Sequence, residues 1–270
     1  MKRAVFDAHI QKKDGIDIIG RGALLQIASE ENIRVREAEM AALDAQIVPS
    51  RYLANVKFFG VYAQLKLLSS RAAVIGCGAV GGMVCEILAR LGIGRVHMVD
   101  FDVFDETNLN RQVMCREQDI GRSKVQCAKE RAESVNSALT AIAHNIRLNE
   151  KNALSLIADS DLVFDGLDNA RDKITLEKAC LTSQIPLIHG AISDSTFQVA
   201  TIRTQGILEN IYAGSLENPV VGTPACTAMA CATAQVAEGL KLLLGMGDVI
   251  DRALLRQDWL SWHNDVIPLL

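Results

Sequence analysis

The sequence predicts an α/β fold: a mostly parallel sheet with helices on both faces, preceded by a short helical N-terminal extension. Three observations predict it. From Arg71 onward, short apolar runs alternate with stretches of helical spacing. A glycine-rich turn joins the first apolar run to the first of those helices. Residues 1–48 follow a different pattern, so the main domain is placed at 49–270.

In the extension, Ile33, Met40, Leu43 and Ile47 recur at helical spacing within the run from Leu24 to Ile47. Pro49 closes the run, and two short helices packed on the main body are expected. The extension reads as a cap without chemistry of its own.

In the main domain, Ala72-Ala73-Val74-Ile75 is a short apolar run stopping at Gly76, as a strand buried on both faces does. A helix through Met83, Ile87, Leu88 and Leu91 follows and ends at Gly92 and Gly94. Val96-His97-Met98-Val99 is a second strand, stopping at Asp100. A long loop leads to a helix over Lys124 to Val135, then a third strand across Ala141 to Ile146. Leu162-Val163-Phe164 is a fourth strand, and Pro186-Leu187-Ile188 a fifth after a helix through Leu176 and Cys180. Such alternation means parallel strands joined by right-handed crossovers. Phe197 to Ile202 reads as a further strand, and 204–222, with Gly206, Gly214, Pro219 and Gly222, as an irregular loop. Thr223-Pro224 opens a helix of about twenty residues ending near Gly245, with Pro224 in its first turn. Trp259, Trp262 and His263 fall in a closing strand pair.

Composition narrows the function. The formal net charge is −4 with acids and bases mixed, which argues against a non-specific nucleic-acid binder. No apolar run is long enough to span a membrane, and no apolar stretch follows the Met-Lys-Arg start. The seven cysteines are odd in number and sit mostly in apolar runs, so reduced thiols in a cytoplasm are expected. No two are spaced as Cys-x-x-Cys, so no zinc site is expected.

Chemistry concentrates at strand ends. Gly76-Cys77-Gly78-Ala79-Val80-Gly81 permits a tight turn and close approach of phosphate to the N-terminus of the following helix. Asp100 lies about 20 residues beyond Gly81, where a carboxylate accepts hydrogen bonds from a ribose. These features specify a nucleotide but not which one; a NAD-dependent oxidoreductase reads equally from them, and tight packing without a ligand is the lesser reading. The next segment separates the options. In Thr107-Asn108-Leu109-Asn110-Arg111-Gln112 and then Gly121-Arg122-Ser123-Lys124, Arg111 supplies a guanidinium fork and Lys124 a point charge that a triphosphate needs and a nicotinamide does not, and the Asn side chains suit orienting the ribose or phosphates. Taken singly, each charge also fits a solvated surface. Asp165-Gly166-Leu167-Asp168-Asn169 ends the fourth strand, where Asp168 either holds magnesium or caps the next helix.

These motifs, with Val-Asp-Phe-Asp at 99–102 and Ile188-His189-Gly190-Ala191, occur in the order of the MoeB/ThiF/HesA family, relatives of the ubiquitin-activating enzyme. The chain resembles that family from about Arg51 to its end. The resemblance implies a Rossmann-like fold and an enzyme that adenylylates the C-terminal glycine carboxylate of a small ubiquitin-like sulfur carrier, releasing pyrophosphate. It implies ATP and Mg2+, with Gly76, Gly78 and Gly81 beside the phosphates and Asp100 on the ribose. Asn108, Arg111 and Lys124 would contact phosphates, Asp168 would hold magnesium, and Asn169 would line the pocket. It also implies a homodimer in which Arg51 reaches the neighbouring subunit's site, and a sulfurtransferase as a further partner, in thiamine, molybdopterin, tungstopterin or related sulfur-transfer biosynthesis. The family's Arg-Tyr-x-Arg-Gln stands here as Arg51-Tyr52-Leu53-Ala54-Asn55. The family's paired zinc cysteines have no counterpart, and Cys226 reads as a small buried cysteine rather than a sulfur-transfer residue. A non-catalytic scaffold of the same fold is a further alternative.

Overall fold

The computed structural model describes residues 1, 3–212 and 222–269. The extension begins with two short 3-10 turns and a hairpin of strands β1 (Ile10–Lys13) and β2 (Ile16–Ile19). Helices α1 (Arg21–Glu30) and α2 (Val35–Asp44) follow, and β3 (Val48–Pro49) returns to pair parallel with β2. The two helices agree with the sequence reading, whereas the hairpin corrects it. Its signal was local: Asp14 and Gly15 form a two-residue loop with φ of 53° and 79°, the left-handed pair that a hairpin turn demands.

Helices α3 (Leu53–Phe59) and α4 (Val61–Ser69) lead into the main sheet. Its chain order is β4 (Arg71–Ile75), α5 (Ala79–Leu91), β5 (Arg95–Val99), α6 (Lys124–Val135), β6 (Thr140–His144), α7 (Ala153–Ile157), β7 (Leu162–Asp165), α8 (Ala170–Ser183), β8 (Leu187–Ser193), β9 (Thr196–Ile202), α9 (Leu208–Ile211), α10 (Ala225–Leu244), β10 (Ala253–Asp258) and β11 (His263–Pro268). Helix α7 and the short α9 were not read from the sequence. Gly214 and Pro219, read as loop residues, lie outside the described residues.

The eight strands lie in the order β11-β10-β9-β8-β7-β4-β5-β6. The neighbours from β8 to β6 pair parallel, and β8, β9, β10 and β11 pair antiparallel in succession. Strand β4 shows why the central strands read as continuous apolar runs. Ala72 and Val74 enter the core beneath α5, α6 and α10, while Ala73 and Ile75 enter the core beneath α7, α8 and α9. Both faces of the sheet are therefore buried, and period-two alternation of polar residues is lost.

The chain leaves β4 toward β5 on one side and takes β7 on the other. This reversal opens a crevice beyond the carboxyl ends of β4, β5 and β7, the place where open parallel sheets bind ligands. No described helix is long and apolar enough to cross a membrane.

Candidate nucleotide-binding site

A cavity of about 770 Å³ occupies that crevice. Three glycines pack backbone to backbone beneath it. Gly76 has φ +90°, and a Cβ there would lie 2.5 Å from Gly166 O. A Cβ on Gly81 would lie 1.8 Å from Gly76 O, and one on Gly166 only 2.4 Å from it. The first turn after β4, the start of α5 and the turn after β7 are thus in direct backbone contact, which no side chain permits. Gly78 differs: a Cβ there would meet nothing closer than Gln112 Nε2 at 3.9 Å. The space above Gly78, at the N-terminal end of α5, is open to the cavity, as an anion needs it to be.

Asp100 directly follows β5 and lines the cavity. Its Oδ2 accepts from the Cys77 N–H at 2.7 Å and its Oδ1 from the Asp102 N–H at 2.8 Å. These bonds fix the glycine turn to the end of β5. Burial pushes the Asp100 carboxyl above its ordinary value, against the pull of those two donors and of Lys124. Lys124 opens α6 and is itself nearly buried. Its Nζ lies 3.2 Å from Asp102 Oδ2, so a carboxylate holds the ammonium at the rim.

Arg111 also lines the cavity. Its Nη1 donates to Thr107 O and to Asn110 Oδ1, each at 2.8 Å, and among the described residues no carboxylate pairs with it. Asn108 is not part of the lining. It is buried in the loop, with Oδ1 accepting from the Asp105 N–H at 3.2 Å, and it shapes the turn that carries Arg111.

The cap of α8 does not fall to Asp168. Asn169 caps α8, its Oδ1 accepting from the Asp172 N–H at 2.9 Å. Asp168 is left exposed at the cavity with only a 3.4 Å contact from Asn169 Nδ2. A carboxylate so placed, beside a phosphate cradle, has the oxygen chemistry magnesium takes, together with substrate phosphates.

Beneath the other half of the cavity lies a buried charge cluster that sequence reading missed. Asp165 is fully buried, and its Oδ2 meets Lys173 Nζ at 2.9 Å and His189 Nδ1 at 2.7 Å. Lys173 Nζ also donates to Gly190 O at 2.8 Å. Burial alone would raise the Asp165 carboxyl, but Lys173 and His189 outweigh it and hold it below its ordinary value. Burial pushes the His189 imidazole down, so it stands neutral against Asp165. A signal existed: Lys173 falls on the buried stripe Ala170, Lys173, Leu176, Glu177 and Cys180 of α8, where an unpaired lysine is not tolerated.

Arg51 is not brought to this cavity. Its Nε lies 3.4 Å from Oε1 of the fully buried Glu39 on α2, and its Nη1 donates to Asn136 Oδ1. Tyr52 Oη donates to Glu39 Oε2 at 3.0 Å and accepts from Asn136 Nδ2 at 2.9 Å. The guanidinium is engaged within its own chain. Ala54 stands where the family pattern has its second arginine. Cys226 also departs from expectation. It is exposed in the first turn of α10, because the buried stripe of that helix runs through Thr227, Ala228 and Cys231 instead.

Fold, strand-end cavity and relatives together define an enzyme of the adenylyltransferase class. The chain belongs to the ThiF family, which it matches over residues 50–266. It is 31% identical over 218 residues to the SAMP-activating enzyme E1 of Haloferax volcanii, covering 77% of this chain and 80% of that protein. It is 32% identical over 222 residues to the probable adenylyltransferase/sulfurtransferase MoeZ of Mycobacterium tuberculosis, covering 78% of this chain and 57% of that protein. The chain therefore spans little more than half of the second relative. The crystal structure of Escherichia coli MccB with ATP superposes with a TM-score of 0.71 over 82% of this chain and 72% of that one. At 20% identity that likeness shows the fold alone. None of these relatives favours the oxidoreductase alternative.

Proposed function

We propose that this chain adenylylates the C-terminal carboxylate of a small ubiquitin-like sulfur carrier, using ATP with Mg2+. The observation that carries the reading is the convergence of Gly78, Arg111, Lys124 and Asp168 on one cavity at the switch point of the sheet. Gly78 leaves room for phosphate against the α5 N-terminus. Arg111 and Lys124 bring two positive charges to the same rim. Asp168, with Asn169 beside it, would hold magnesium, which would neutralise phosphate charge when bound.

The carrier's terminal carboxylate oxygen attacks the α-phosphorus of ATP. An O–P bond forms, the bond from the α-phosphorus to the bridging oxygen breaks, and pyrophosphate leaves with that electron pair. The nucleophile is already ionised, so no general base is required. What the chain supplies is position and charge: Arg111 and Lys124 face negative charge that grows on the leaving group, in a site where water is partly excluded. Asp100 anchors the glycine turn and offers its remaining lone pairs to the ribose. Asn108 sets the Arg111 loop rather than touching the nucleotide.

A homodimer and a sulfurtransferase acting on the adenylate belong to the same proposal. Arg51 is given no catalytic part in it, since Glu39 and Asn136 already engage the side chain. The relatives' printed names support the activity and the sulfur-transfer context, and the charge of the rim supports the nucleotide. The test is ATP–pyrophosphate exchange with purified protein and Mg2+, with and without a small carrier ending in Gly-Gly from the same genome. Exchange that needs the intact tail is expected. ATP binding without exchange across several such carriers would remove the carrier from the reading.

A further inference from the structure

The buried cluster beneath the cavity leaves one donor unmet. An ammonium carries three N–H groups. Lys173 Nζ donates to Asp165 Oδ2 at 2.9 Å and to Gly190 O at 2.8 Å, and among the described residues the third N–H has no acceptor. Lys173 is only 4% exposed, yet it lines the cavity. Asp165 is already fully engaged: Oδ1 accepts from the Leu167 N–H at 3.0 Å, and Oδ2 meets both Lys173 and His189. A second unmet donor stands beside the cluster. Tyr212 lines the same cavity, and its Oη is buried without a hydrogen-bond partner among the described residues. Its ring is edge-on to the His189 ring, with centroids 6.1 Å apart. Burial, and then the Asp165 charge, push the phenol well above its ordinary value, so it keeps its proton and remains a donor. Buried polar groups are nearly always paired, so two unmet donors at one cavity wall mark a place for an acceptor that the chain does not supply.

Place and charge say which acceptor. In the sheet, β7, β8 and β9 lie on one side of β4 and β5 lies on the other. Arg111 and Lys124 come from the loop after β5, whereas Lys173, Gly190 and Tyr212 gather at β8, beyond the end of β7 that carries Asp168. The charges of this second wall cancel: Lys173 is positive, Asp165 negative and His189 neutral. It offers donors without surplus positive charge, which suits a singly charged group with two oxygens and not a polyphosphate. We infer that Lys173 and Tyr212 form the subsite for the terminal carboxylate of the carrier, each donating one hydrogen bond to it and holding it for attack on the nucleotide. The inference rests on the proposed function and deepens it: the site reads the carboxylate itself and not only the chain that bears it. A neutral wall also leaves the carboxylate the charge with which it attacks.

The test compares a carrier ending in Gly-Gly with the same carrier ending in a carboxamide. The amide keeps the length of the tail and sets an N–H group against the two donors. Binding would be measured by calorimetry with Mg2+ and an ATP analogue that has a methylene group between the α- and β-phosphorus, so that no pyrophosphate leaves. Wild type is expected to prefer the acid by about a hundredfold, from two hydrogen bonds to a charged group at about tenfold each. Tyr212→Phe removes one donor and keeps the ring, and the preference is expected to fall to about tenfold. Lys173→Met alone would strand the buried Asp165, so it is made together with Asp165→Asn, and the same fall is expected. Affinity for the analogue should stay within about twofold of wild type in both variants, which also shows that the fold is intact. If the double variant does not fold, Tyr212→Phe decides alone. Wild type that exchanges pyrophosphate yet binds acid and amide equally would overturn the inference and leave the proposed function standing. A hundredfold preference that survives in either folded variant would also overturn it, since both donors are required. Wild type that neither exchanges pyrophosphate nor binds either carrier would remove the carrier from the reading, and this inference with it.

Discussion

The joint between the extension and the sheet uses the same residue types as the rim of the cavity, to opposite effect. At the joint, Glu39, Arg51, Tyr52 and Asn136 close on one another. At the rim, among the described residues, Arg111 donates to oxygens of its own loop, Asp168 accepts from its neighbour, and the Gln112 amide oxygen has no hydrogen-bond partner. Polar groups that engage each other hold the fold, although Glu39 Oε1, with Arg51 Nε at 3.4 Å, has no hydrogen bond among the described residues. Polar groups left over, on a fold that could have paired them, are available to a ligand. Two arginines that both belong to family motifs are thereby given different work, and their partners decide it rather than their motifs.

The sharpest way to break this contrast is to remove each arginine in turn. Arg111→Ala is expected to lower ATP–pyrophosphate exchange by about two to three orders of magnitude, the usual loss for a charge-stabilising donor, with the melting temperature unchanged. Arg51→Ala is expected to do the reverse. It strands a buried carboxylate that burial already pushes above its ordinary range and that Arg51 pulls back down. A loss of about 2 kcal/mol in folding stability is expected, below the full cost of breaking a buried pair because the arginine is partly exposed. Denaturant titration and exchange assays on both variants check the pair. Full stability with lost exchange in Arg51→Ala would restore a catalytic role for that residue.

The glycine turn makes the same distinction within a few residues. A methyl at Gly81 would stand 1.8 Å from a backbone oxygen, which no rotamer can relieve, while one at Gly78 points into open space. Gly81→Ala is expected to cost about 3 kcal/mol or more in stability. Gly78→Ala is expected to leave the melting temperature within a degree or two, since a surface change of this kind is worth about 0.5 kcal/mol, and to weaken ATP binding by crowding the phosphate. Equal destabilisation of the two variants would mean that the space above Gly78 serves packing and not a ligand.

What was legible in the sequence follows from how local the physics is. Strands β4, β5 and β7 announce themselves as apolar runs ended by Gly76, Asp100 and Asp165, because a strand buried on both faces leaves no room for polar residues until it ends. Gly76, Asp100, Asp168 and Asn169 line one cavity because each stands at or just beyond a strand's carboxyl end, and the long loop after β5 brings Arg111 and Lys124 to the same cavity. The N-terminal hairpin was hidden because its strands are short and half exposed, so Ile16, Ile18 and Ile19 give no clean period. The Asp165–Lys173–His189 cluster was hidden because its members come from three different elements. Only the register of β7 against β8 and the face of α8 bring them together. The engagement of Arg51 with Glu39 was hidden because a motif gives a residue's place in the chain and not its partner: Glu39 lies on a helix outside the matched family region.

That buried cluster yields the smallest and most specific expectation. His189 is held neutral in the fold by burial, although Asp165 draws it the other way. In the unfolded chain it takes a proton near the ordinary histidine value of 6.5, and in the folded chain only at lower pH. Its contribution to stability is therefore complete above 6.5 and declines as pH falls from there through the folded value, by at most about 1.4 kcal/mol per pH unit for one proton. Asp165 acts later in the same direction. Its folded value lies below the ordinary 3.8, so its contribution is present above 3.8 and is lost as pH falls further. Denaturant midpoints at pH 7 and pH 5 leave Asp165 out of the comparison, because both pH values lie above its range. His189→Gln, which keeps a donor for Asp165, should lose some stability at pH 7 and show a smaller drop between the two pH values than wild type. His97 and His144 are likewise pushed down by burial and keep part of the acid sensitivity in the variant. An unchanged drop would mean that those two histidines, and not the cluster under the cavity, carry the proton uptake on unfolding.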